Sequence, residues 1–184
     1  MGVPFRYELT ITTESYMQST YALAYVAGTG FDDIKTQKDF LAIDDARKQK
    51  LKIGTHERNP GVQLLAQYNM YEQLVPYIAQ LGDPDVGPGQ LESEDLVAGK
   101  IDMAILWGPL AAHLKNSSDK DIRIVPLEST PGMKFHFPFA MGVRHPDKAW
   151  RDRLDEVLAR KQDDISQILR EYGIPLVDEN GKSI

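Results

Sequence analysis

One short stretch, Gly54-Thr55-His56-Glu57-Arg58-Asn59-Pro60, sets a hydroxyl, an imidazole, a carboxyl and a guanidinium side by side between a strand end and a helix start. Asn59 is a preferred helix cap and Pro60 suits the first helical position. Free N–H groups at a helix N-terminus favour an anionic or carbonyl ligand, and Arg58 would add charge beside them. The plainer use of the same residues is structural, with Thr55 and Asn59 capping the turn and Arg58 solvated. His56, Glu57 and Arg58 are also the groups an enzyme would have to use here. A second place is Trp107-Gly108-Pro109, where an uncharged indole closes an apolar run. That indole either forms a platform for a ligand or plugs a core.

Other chemistries find little support. The four histidines, His56, His113, His136 and His145, share no metal-ligand spacing, so a metal is not expected. There is no cysteine, which removes thiolate nucleophiles, disulfides and cysteine-bound metals. Asp44-Asp45 and Asp163-Asp164 read as solvated helix ends rather than acid/base dyads. No nucleophile elbow or phosphate-cradling glycine loop occurs. A formal charge of −6 argues against a nucleic-acid partner, whose phosphates call for a basic face. No run reaches the roughly 20 apolar residues of a spanning helix, and the N-terminus lacks the form of a secretory signal.

The elements that would position these residues alternate. Ser19 to Ala27 reads as a strand, and Thr29 to Lys50 as a polar connector with a helical turn around Asp39 to Leu41. Lys50 to Gly54 is a strand and Pro60 to Asn69 a helix. Val75 to Ala79 reads as a strand and Gly82 to Gly89 as a loop. Gln90 to Ala98 is a helix closed by Gly99, and Ile101 to Trp107 a strand buried on both faces. Pro109 to Lys115 starts a helix, Ile122 to Leu127 is a strand, Ser129 to Pro138 a long loop, and Phe139 to Arg144 a strand. Within that loop, Phe135 to Phe139 reads as folded onto an interface or as a sticky partner surface. Asp147 to Tyr172 holds the C-terminal helices, stopped by Gly173 and Pro175. The alternation predicts an α/β fold with a largely parallel sheet.

Three segments resemble bacterial solute-binding proteins of two α/β lobes joined by crossing strands. They are Met1-Gly2-Val3-Pro4 with Tyr7-Glu8 and Ser19-Thr20-Tyr21, then Gly99 to Ala111 with its Trp-Gly-Pro turn, and Met141 to Arg144 with Tyr172-Gly173-Ile174-Pro175. The chain is most similar to the J proteins associated with quinoprotein methanol dehydrogenases, of the MxaJ and XoxJ type. The resemblance implies a type II periplasmic binding fold. It would comprise one complete lobe, the crossover strands, and C-terminal helices of an incomplete second lobe. Residues 1–28 would be the end of lobe one and the first crossover, 29–137 lobe two, and 138–184 the return crossover and C-terminal helices. It further implies that Met1 is an internal methionine of a longer, truncated product. The apolar stripe of Trp150, Leu154, Val157, Leu158, Ile165, Ile168 and Leu169 would then have little sheet to cover.

The implied ligand or partner cleft would be lined by Tyr16, Thr20, Tyr21, Thr55, Arg58, Asn59, Trp107, Gly108 and Pro109. Two departures from the family pattern stand out. Trp107 occupies a region where amino-acid-binding relatives commonly carry an acid for the ligand's ammonium group. Leu9 stands where arginine usually follows Tyr7-Glu8. The implied function is that of a non-enzymatic periplasmic accessory, without a cofactor, to a pyrroloquinoline-quinone (PQQ)-dependent methanol dehydrogenase. Alternatives on the same fold are an ABC-transporter receptor for a small solute and a cyclohexadienyl dehydratase-like enzyme. A regulator's effector domain is more remote.

Overall fold

The computed structural model describes residues 2–78 and 85–184. Two compact units make up the chain, one of Met1–Thr20 with His136–Ile184 and one of Tyr21–Phe135. Ala79, the end of an expected strand, and residues 82–84 of the expected glycine-rich loop lie outside the described residues, as does Met1.

The first unit opens with β1 (Gly2–Pro4) and β2 (Ile11–Thr12). Strand β3 (Met17–Val26) begins in this unit and runs on into the next. The second unit continues through two short helices, α1 (Gln37–Leu41) and α2 (Asp45–Lys48), to β4 (Ile53–His56), α3 (Pro60–Gln67) and β5 (Leu74–Tyr77). It closes with α4 (Gln90–Val97), β6 (Met103–Trp107), α5 (Gly108–Ser117) and β7 (Ile122–Pro126). The chain then returns to the first unit as β8 (His136–Val143) and α6 (Lys148–Glu171).

In the second unit β4 lies parallel to both β5 and β6, while β3 runs antiparallel between β6 and β7. The helix-connected strands therefore share one direction, as crossover helices require, and β3 alone opposes them. In the first unit β8 pairs antiparallel with β1, β2 and β3. The expected largely parallel sheet is thus corrected: among the described residues only β4 pairs parallel, with β5 and β6, and the other pairings are antiparallel.

Side-chain alternation splits the core of the second unit into two layers. Leu23, Met103 and Ile105 face Phe40, Leu64 and Leu65 from α1 and α3. Ala22, Ala24, Ala104 and Leu106 face Leu96, Ala111 and Leu114 from α4 and α5. β3 and β6 are thus buried on both faces, which accounts for their near-continuous apolar sequence.

Three helices end alike. At Asn69, Gly99 and Gly173 the backbone takes positive φ. In each case the following N–H reaches back five residues, as Ile174 does to the Leu169 carbonyl at 3.0 Å. Two other expectations need correcting. The aromatic stretch expected as a loop is strand from His136 onward, with Phe137 opposite Ser19 and Phe139 opposite Met17. Pro138, which reads as a breaker, still has a carbonyl and accepts from Phe5 N–H at 3.0 Å. The C-terminal helices are one continuous helix of 24 residues, with Leu158 as its only buried residue. Trp150 and Ile168 are 54% and 63% exposed along it.

Candidate functional site

The carboxyl ends of β4 and β6 lie side by side in the second unit, with Gly54 level with Ala104. One step beyond, the Thr55 hydroxyl donates to the Ile105 carbonyl at 3.2 Å and the Asn59 amide donates to the same oxygen at 3.0 Å. The Asn59 side-chain oxygen in turn accepts from Gly61 N–H at 2.7 Å, capping α3. Thr55 and Asn59 are both buried, so their polar atoms tie a strand end to a helix start. A Cβ added at Gly61 would lie 2.8 Å from the Ile105 side chain, so any larger residue here would force Ile105 to shift.

Arg58 is exposed immediately before the cap, in a left-handed backbone conformation with φ 62°. The exposed cation stands one residue before the capped start of α3, a place where a negatively charged or carbonyl group would meet positive charge.

Trp107 ends β6, and Gly108 and Pro109 begin α5 directly after it. Opposite Trp107 in the register stands Tyr21, the rings meeting edge to face with centroids 5.3 Å apart. Burial pushes the Tyr21 hydroxyl pKa up, so the phenol stays neutral. Tyr21, Thr55, Arg58, Asn59, Trp107, Gly108 and Pro109 are therefore gathered at one end of the second unit's sheet.

Tyr16 and Thr20 belong to the first unit. Thr20 is fully buried opposite His136 in the β3–β8 ladder. Tyr16 is part-buried, its N–H donating to the Phe139 carbonyl at 3.0 Å, and burial raises its hydroxyl pKa. Leu9, the departure from the family's arginine, is 73% exposed.

Sequence reasoning missed one partner at the site. Glu92, in the first turn of α4, is buried and contacts His56 Nδ1 at the end of β4. The contact commits Nδ1 of the imidazole to the Glu92 carboxyl group. Beside this pair the Tyr77 hydroxyl donates to Asp95 at 2.8 Å, and Lys100 donates to the same carboxylate at 2.7 Å. Burial, then the bond to Asp95, hold the Tyr77 hydroxyl pKa far above its usual range. Among the described residues, no group of three His, Cys, Asp or Glu side chains is placed to hold a metal ion. No helix among them is long and apolar enough to cross a membrane.

A lobe of parallel strands bracketing one antiparallel strand, with polar loops and an aromatic pair at the strand ends, defines a protein of the type II periplasmic binding fold. The chain belongs to the family of XoxJ-type periplasmic binding proteins. It is 31% identical to the crystal structure of periplasmic binding protein XoxJ from Methylobacterium extorquens AM1, with a TM-score of 0.71, covering 93% of this chain and 74% of that one. The fold is also that of MxaJ from Methlophaga aminisulfidivorans MPT, with a TM-score of 0.73 at 23% identity over 96% of this chain and 75% of that one. Protein MoxJ of Methylorubrum extorquens AM1 is 26% identical over 181 residues, which covers 91% of this chain. The chain spans 58% of MoxJ's own length. No family model matches the chain.

Proposed function

We propose that the protein is a non-enzymatic periplasmic accessory of a PQQ-dependent methanol dehydrogenase, acting in its maturation or activation. Family membership supports the binding-protein part of this reading, and Trp107 carries the rest. An amino-acid ligand needs a carboxylate for its ammonium group, and Trp107 puts an uncharged ring at that strand end. Paired with Tyr21, it forms a platform suited to an apolar, aromatic or protein surface. The neighbouring Thr55 hydroxyl and Asn59 amide nitrogen both donate to the Ile105 carbonyl, and the Asn59 side-chain oxygen accepts from Gly61 N–H.

The full-length gene product, immobilised, is expected to retain the dehydrogenase large subunit from extracts of methanol-grown cells. Trp107→Ala should weaken that retention by about tenfold or more, the scale of a buried aromatic anchor. No retention by the wild type, or equal retention by both forms, would overturn the proposal.

Arg58 favours a second reading, a receptor delivering a small anionic or carbonyl-bearing solute to an ABC transporter. Calorimetry against a panel of carboxylate metabolites separates the two. Micromolar binding of one solute, lost in Arg58→Ala, supports transport.

A further inference from the structure

Between α4 and α5 of the second unit lies a groove of about 780 Å³, built from residues outside the cleft candidates. That volume falls in the range of small-molecule sites. Val97, Leu110 and Leu114 contribute apolar lining, and among the described residues the rim carries Glu94, Asp119 and His113 but no lysine or arginine.

The hydrogen bonds at the rim give it a chemical sense. Ser93 and Ser117 spend their hydroxyl protons on the carbonyls of Gly89 and His113, at 2.6 and 2.8 Å. What these serines still offer a guest is acceptor lone pairs, and the two carboxylates add more. An apolar wall with an acceptor-rich, negative rim complements a molecule with a greasy body and a donor-bearing positive end. We infer that the groove between α4 and α5 is a second ligand site, built for an amphipathic organic cation such as an alkylammonium. The inference stands independently of the function proposed above.

The test is a titration of the protein with octylammonium, octanoate and 1-octanol below their aggregation concentrations, followed by amide NMR. Octylammonium should shift the amides of Val97, Leu110 and Leu114 and bind about tenfold more tightly than octanoate. The double variant Glu94→Gln/Asp119→Asn should bring the two to within about twofold. Ala98 is exposed on the groove's edge, so Ala98→Trp should fill the groove and abolish the shifts with the circular dichroism unchanged. Equal binding of octanoate or octanol to the wild type would overturn the inference. So would the absence of shifts in α4 and α5, or a charge-neutral variant that keeps the preference.

Discussion

Ile105 offers one carbonyl, and two buried side chains from the next strand and its loop compete to satisfy it. Asn59 is the more consequential of the two, because it also caps α3 through Gly61. Asn59→Ala should therefore cost about 2–3 kcal/mol in urea unfolding, since a cap and a buried bond disappear together. The cap was legible in the Asn-Pro order, which states its own geometry. The His56–Glu92 contact was not, because its partners stand 36 positions apart and only the packing of α4 beside β4 brings them together. Asp95 supplies a pH test at the same scale. The Lys100 hydrogen bond, followed by that from Tyr77, holds its carboxyl below the usual carboxylate range. A carboxyl so lowered adds stability above its unfolded pKa, near 3.9, and loses it as pH falls through the lower folded value. Asp95→Asn should consequently lower stability at neutral pH and flatten the loss below about pH 4, as read from melting temperature against pH.

Helices announce their ends and strands conceal their partners. Gly99 and Gly173 mark chain reversals that the sequence places to the residue, because only a few side chains tolerate positive φ. The direction of β3 carries no such mark. Its apolar run is that of any strand buried on both faces, and its opposition to β6 and β7 depends on a connection that sequence periodicity does not encode. The start of β8, His136 to Pro138, was hidden differently, by a proline whose missing donor suggests a break although its carbonyl still bonds. Helix α6 combines a readable apolar stripe with shallow burial. Leu158→Ala should destabilise by about 2–3 kcal/mol, whereas Ile168→Ser, on the exposed line, should stay within about 0.5 kcal/mol. Thermal unfolding of the two variants checks the contrast, and equal losses would mean that Ile168 is covered in solution.

Taken whole, the molecule is acidic, with a formal charge of −6, yet shows Trp150, Ile168 and Tyr172 to solvent along one helix. Exposed apolar residues in a row promote association, and like charge opposes it. Sedimentation at rising protein concentration should show self-association that grows with salt and falls in Trp150→Ser/Ile168→Ser. Arg58 draws a different kind of tension out of the same chain. Its left-handed φ of 62° is a posture glycine would hold more cheaply. Arg58→Gly should accordingly produce a sturdier protein, by up to about 1 kcal/mol, that has lost the cation before the start of α3. A gain in durability bought with a loss of recognition would mark that arginine as kept for what it meets.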